Sequence, residues 1–82
     1  MPTVLRHSKG WRVVIYTNDH RPPHVHVLGV QEHARFDLLC DLSRVKLSSS
    51  YGFSKAQLKS IDIFLNQNIG ALCSAWGEVH GH

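Results

Sequence analysis

The last third of the chain carries an apolar stripe of helical period, and this stripe is the strongest constraint on the fold. Its large side chains recur at steps of three and four residues. They are Leu58, Ile61, Leu65, Ile69, Leu72, Trp76 and Val79. Ser54 followed by Gln57 is the pattern of a capping box, with Phe53 placed to pack against Leu58. The sequence therefore predicts a long amphipathic helix over about residues 54–79, with a kink or break near Gly70 as the alternative.

The first half of the chain has the β-branched and aromatic content of strands, divided by turn residues. The predicted strands cover about residues 3–6, 11–17, 24–30 and 33–39, with a short edge piece over 42–47. Residues 7–10 are expected to form a tight turn, residues 18–23 a loop stiffened by Pro22 and Pro23, and residues 48–53 a linker. An antiparallel meander of three to five strands packed against the long C-terminal helix gives an α+β fold. At 82 residues, we expect a single domain over residues 1–82.

Composition and hydropathy favour a soluble protein of the cytoplasm. Hydrophobic residues make up 43% and charged residues 18%, which is ordinary for a globular domain. No apolar run approaches the ~20 residues that span a bilayer, and the N-terminal segment lacks the apolar region of a signal peptide. In a reducing compartment, Cys40 and Cys73 are expected to be free buried thiols. We expect no cofactor.

The positive charge lies in the first three-quarters of the chain. The formal net charge is +3, and all nine Lys and Arg residues precede position 60. This distribution favours an acidic partner, either nucleic acid or protein, although a merely solvated basic surface is the alternative. Arg12, Arg21 and Trp11 are the candidate contacts, with Trp11 as a platform on which a base could stack. Because a core this small is modest, self-association or a partner protein is also expected.

The segment from His20 to Val27 holds the residues best suited to chemistry. His24 and His26 are two apart on a predicted strand, so both imidazoles project from one face while Val25 and Val27 face the core. His20 lies just before the prolines and could join them, and Arg35 on the next strand could stabilise an anionic transition state. We therefore predict a catalytic set of His20, His24, His26 and Arg35.

Two other interpretations of the same histidines stay open. His24 and His26 could be two ligands of a first-row metal, with a third from His20, His33, Asp19 or Asp37. They could also be solvent-facing strand residues beside a Pro-Pro turn, without a chemical role.

Several segments together resemble the bacterial family catalogued as domain of unknown function 4160. They are residues 1–6, the stretch YTNDHRPPHVHV at 16–27, ARF at 34–36, GFS at 52–54 and the late Trp76. The PPHVHV string is the most specific of them. The chain departs from the family pattern at Asp19, at Arg21 and at Asp37, where members usually carry glutamate, glycine and tryptophan respectively.

The resemblance implies a role in a two-gene module. Genes of this family often look paired with those of another small family, domain of unknown function 2442, in the arrangement typical of toxin-antitoxin systems. On that basis we expect a toxin-like component that binds or cleaves RNA, and a small antitoxin-like protein as its partner. The alternatives are a non-enzymatic module that pairs with a small protein, and a metal-binding protein that uses His24 and His26.

Overall fold

The computed structural model describes residues 3–6, 10–16 and 21–80, and for residues 3–6 it describes the backbone alone. Five strands and two α-helices follow one another in these residues. They are β1 (Thr3–Arg6), β2 (Arg12–Val14), β3 (His24–Leu28), β4 (His33–Leu39), β5 (Arg44–Tyr51), α1 (Lys55–Gln67) and α2 (Ile69–His80). A short 3-10 helix, Cys40–Leu42, joins β4 to β5. Most of the turn predicted at residues 7–10 lies outside the described residues, as does the first half of the loop predicted at 18–23.

The strands form one antiparallel sheet in the order β1-β2-β3-β4-β5. The predicted meander and α+β class are confirmed. The linker predicted for residues 48–53 is wrong over its first four residues, because β5 continues to Tyr51 and pairs with β4 along its length. A run of three serines has little strand preference of its own, and the backbone hydrogen bonds offered by β4 decide its conformation. After β5 the chain turns at Gly52, whose φ of +84° suits a residue without a Cβ.

The helices cover one face of the sheet and enclose the core. α1 packs on β5, while α2 packs on β4 and on the 3-10 helix. Strand residues of the core alternate with residues of the opposite face, as a period of two requires. The core side chains are Trp11, Val13, Ile15, Val25, Val27, Ala34, Phe36, Leu38, Val45, Ile61, Leu65, Leu72 and Trp76. Trp76 thus lies where the helical stripe predicts. Trp11 is only 5% exposed, so its predicted role as a stacking platform for a base is wrong.

The C-terminal helical segment begins at the predicted cap. The Ser54 hydroxyl accepts from the Gln57 backbone N–H at 3.1 Å, and the Gln57 side chain accepts from the Ser54 N–H at 2.8 Å. These two bonds satisfy donors that a helix start leaves open. The segment divides into α1 and α2, as the alternative prediction of a broken helix had it.

The division falls at Asn68, two residues before Gly70. The Asn68 side-chain amide donates to the Phe64 carbonyl at 2.8 Å, and its own carbonyl accepts from the Leu72 N–H at 3.0 Å. Asn68 therefore ends one helix and begins the next. Asparagine competes for backbone hydrogen bonds in this way, whereas Gly70 is accommodated inside α2.

Cys40 and Cys73 form a disulfide, with 6.2 Å between their Cα atoms. The expectation of two free thiols is therefore wrong. The bond joins the 3-10 helix after β4 to α2. Its partners are 33 residues apart in the chain, and only the packing of α2 against the end of β4 brings them together.

Candidate functional site

The pairing register of β3 and β4 determines which side chains lie together in the candidate site. His26 lies directly opposite Arg35, His24 opposite Asp37, and Leu28 opposite His33. Directly opposed residues of an antiparallel pair project from the same face with Cβ atoms about 5 Å apart. These side chains therefore share the sheet face opposite to that of the core residues Val25, Val27 and Phe36, and His24 among them also contacts Trp76 of α2. We call this surface the polar face and define it by His24, His26, His33, Arg35 and Asp37.

His26 and His33 form an imidazole pair at the centre of the polar face. His26 Nδ1 lies 2.9 Å from His33 Nε2, and the two rings stack with centroids 5.2 Å apart. A hairpin of four loop residues, closed by a hydrogen bond from the Gly29 N–H to the Glu32 carbonyl, brings the two histidines together. A nitrogen-to-nitrogen hydrogen bond needs one protonated and one bare nitrogen. The pair therefore holds a proton between two rings, of which His33 is exposed to solvent.

His24 is buried behind this pair. Its side chain is 3% exposed, and its Nδ1 donates to the Pro22 carbonyl at 2.8 Å. The ring lies with its centroid 5.3 Å from that of Trp76 and 5.2 Å from that of His26. As predicted, His24 and His26 lie side by side, but burial keeps His24 from solvent. Its position is that of a packing residue that supports His26.

Arg35, the cation predicted for the site, lies on the polar face directly opposite His26. Its guanidinium is paired with Asp37 on the same strand at 3.4 Å from Nε and 3.5 Å from the terminal nitrogen. Both distances exceed the 2.7–2.9 Å that is usual for charge-assisted hydrogen bonds. With about a third of its side chain exposed, Arg35 can turn from Asp37 to an anionic ligand.

The polar face continues onto β5, which the sequence interpretation missed. Lys46 lies opposite Asp37, Ser49 opposite Arg35 and Tyr51 opposite His33. Lys46 and Tyr51 are both exposed, the latter to 74%. The alternation of residues 44–47 predicts the face of Lys46, but a register shift at Ser48 brings Ser49 and Tyr51 to that same face, and no local sequence signal shows this shift.

A comparison with known protein families supports the family resemblance seen in the sequence. The pattern of the family described as Domain of unknown function (DUF4160) matches residues 10–77. The chain belongs to this family. No curated protein and no solved structure is significantly similar to it.

Three further positions were predicted for this DUF4160 protein, namely His20, Arg12 and Arg21. His20 lies outside the described residues. Arg12, on β2 opposite Leu28, is half-buried. Arg21 is exposed and lines two neighbouring cavities that Cys40 also lines.

A metal centre would need a third ligand beside His24 and His26. Within the described part of the chain, no three His, Cys, Asp or Glu side chains lie close enough together to hold a metal ion. His24 Nδ1 and His26 Nδ1 face Pro22 and His33 respectively. Two of the four candidate third ligands, Asp19 and His20, lie outside the described residues.

Neither described helix is long and apolar enough to cross a membrane.

Proposed function

We propose that this DUF4160 protein binds single-stranded RNA on its polar face and acts as the toxin-like component of a two-gene toxin-antitoxin module in the bacterial cytoplasm. The observation that carries the proposal is the His26–His33 pair directly beside Arg35, on the sheet face opposite to the core, where His33 is exposed. Two imidazoles within hydrogen-bond distance of each other can accept and donate protons, and next to a cation they suit the chemistry of a phosphodiester.

The neighbouring side chains fit the other parts of an RNA strand. Lys46 and Arg35 are placed to neutralise backbone phosphates, the main source of affinity for nucleic acids. Tyr51 offers an exposed aromatic ring on which a base can stack, a role that the sequence had led us to expect of Trp11. The net charge of +3 supports attraction to a polyanion.

The imidazole pair allows cleavage without a metal. One ring of the pair accepts the proton of a ribose 2′-hydroxyl, whose oxygen attacks the adjacent phosphorus, and the other gives a proton to the departing 5′-oxygen. The products are a 2′,3′-cyclic phosphate and a 5′-hydroxyl. Arg35 offsets the negative charge that develops on the phosphoryl oxygens.

The toxin-like role depends on the two-gene arrangement that the family resemblance implies. A small acidic partner that covers the polar face would block access to RNA and so act as the antitoxin. Expression of the chain alone is then expected to slow bacterial growth, and co-expression of the neighbouring gene to restore it.

A second candidate function, pairing with a protein without catalysis, is favoured by β5. This eight-residue strand is last in the sheet order and almost wholly exposed. At Val45 its backbone N–H donates to the Asn66 side chain at 2.9 Å, but an edge of this length can still pair with a strand of another protein.

The test measures binding of a fluorescent single-stranded RNA of mixed sequence by anisotropy over a range of salt concentrations. Lys46→Ala and Lys59→Ala each remove one exposed lysine, but Lys59 lies on α1, away from the polar face. We expect Lys46→Ala to weaken binding about three- to tenfold and to lower the salt slope by about one, and Lys59→Ala to change neither. Equal losses in the two variants would refute binding on the polar face.

Cleavage is tested separately with the exposed member of the pair. His33→Asn retains a polar side chain and is expected to bind RNA within about twofold of wild type. It should lose RNA cleavage and growth inhibition by at least about 100-fold, the usual contribution of a positioned acid or base. Full cleavage by His33→Asn would refute the catalytic pair while leaving RNA binding intact.

A further inference from the structure

The Cys40–Cys73 disulfide lies in an open part of the surface. Both cysteines line a cavity of about 490 Å³ together with Arg21, Ser74 and Trp76. Cys40 also lines a neighbouring cavity of about 420 Å³. Cys40 is exposed and Cys73 half-buried, so Cys40 is the residue that an incoming reagent is expected to reach first. A disulfide placed in this way differs from one enclosed in a core.

We propose that this disulfide is a thiol-exchange site that prefers small anionic thiols, those that carry a carboxylate or sulfonate group. The proposal goes beyond RNA binding and does not depend on it. In a reducing compartment, protein disulfides are typically transient and involved in redox chemistry, which fits an accessible bond of this kind.

The exchange proceeds in two balanced steps. The thiolate of the small molecule attacks the Cys40 sulfur, the bond between the two cysteines breaks, and Cys73 leaves as a thiolate that takes a proton from water. A second thiol molecule attacks the mixed disulfide and releases Cys40 as a thiol. Two small thiols are thereby oxidised to one disulfide, and the protein gains two electrons and two protons.

Arg21 accounts for the preference for an anion. Arg21 is exposed and lines the larger cavity with both cysteines, and among described residues 10–16 and 21–80 no acidic residue lines that cavity with it. Asp41 lines the smaller cavity, where it would repel an anion. An anionic thiol is therefore attracted to the side of the disulfide where Arg21 and both sulfurs meet.

The bond also restrains the helix that supports the imidazoles. It ties α2 to the 3-10 helix, and Trp76 lies three residues after Cys73, about one helical turn further on. The Trp76 ring contacts that of His24, which in turn contacts His26. Reduction is expected to loosen this contact and to change tryptophan fluorescence.

The test compares two thiols of opposite charge, 2-mercaptoethanesulfonate and cysteamine, at equal thiolate concentrations against the oxidised protein. Mass spectrometry follows the mixed disulfide and the reduced product. We expect the anionic thiol to react faster with wild type, and Arg21→Ala to lower the anion-to-cation rate ratio about threefold, the size expected of a screened pair of charges near a surface. Arg21→Lys retains the charge and should retain the ratio, and Lys59→Ala removes a distant cation and should leave it unchanged.

Three results would overturn the proposal. They are a wild-type protein with no preference for the anion, an Arg21→Ala variant that keeps the wild-type ratio, and an equal loss of the ratio in Lys59→Ala. Loss of RNA binding leaves these rates unaffected, so the two proposals fail independently.

Discussion

Replacing His24 and His33 by alanine, one at a time, should distinguish a histidine that stabilises the fold from one that acts on RNA. His24 and His33 are both histidines of the same sheet face, but one is 3% exposed and the other lies in solvent. We expect His24→Ala to destabilise the fold and His33→Ala to leave stability nearly unchanged.

The magnitude follows from the contacts that His24 makes. Its hydrogen bond to the Pro22 carbonyl contributes about 1 kcal/mol, near the ordinary net value because Pro22 is exposed and water can replace the donor. Loss of the buried ring between Trp76 and His26 adds about 2 kcal/mol, below the 3–5 kcal/mol typical of a larger buried aromatic. The total of about 3 kcal/mol is a large share of the roughly 4–12 kcal/mol expected for a domain of this size.

Urea denaturation followed by tryptophan fluorescence and by circular dichroism measures the loss. With an m-value of about 1–1.5 kcal/mol/M, His24→Ala should lower the midpoint by about 2–3 M, and His33→Ala by less than about 0.5 M. An unchanged midpoint in His24→Ala, together with loss of RNA cleavage, would contradict the assignment of His24 as a packing residue and restore it to the catalytic group.

Three further variants, one of them with a matched control, test the fold around the site. Asn66→Ala removes the side chain that accepts from the Val45 N–H and should cost about 1–2 kcal/mol in chemical denaturation, whereas Gln67→Ala, at an exposed neighbour, should cost less than about 0.5 kcal/mol. Ser54→Ala removes half of the capping box and should lower the free energy of unfolding by about 1 kcal/mol, which equal melting temperatures of variant and wild type would contradict. Replacing both disulfide cysteines by serine should cost about 3–4 kcal/mol relative to the oxidised protein, since the bond closes a loop of 33 residues, and reduced wild type should show a similar loss.

The sequence was informative wherever local periodicity and burial agree. The stripe from Leu58 to Val79 and the Ser54 cap specify the helical segment, because its large apolar side chains can be buried together only on one helical face. The alternation around His24 and His26 also places the two imidazoles on one face, since side chains of a strand alternate with a period of two. The resemblance carried above all by residues 16–27 also predicted the family, which the match over residues 10–77 confirms.

Tertiary structure decided which of these residues can meet a ligand. Trp11 and His24 are buried and His33 is exposed, although their residue types alone suggest no such difference. The hairpin register brings His33 to His26, and continued pairing with β4 makes a strand of the serine run that ends at Tyr51.

The disulfide shows most clearly what the sequence alone could not predict. Cys40 and Cys73 belong to segments whose local patterns, a strand end and a helix, carry no information about each other. The sequence by itself determined most of the elements and the faces of their side chains outside the second half of β5, because those depend on the backbone repeat of a few residues. Which elements meet, and therefore which imidazole, ring or sulfur is exposed, depends on contacts between distant segments, and only the folded chain forms them.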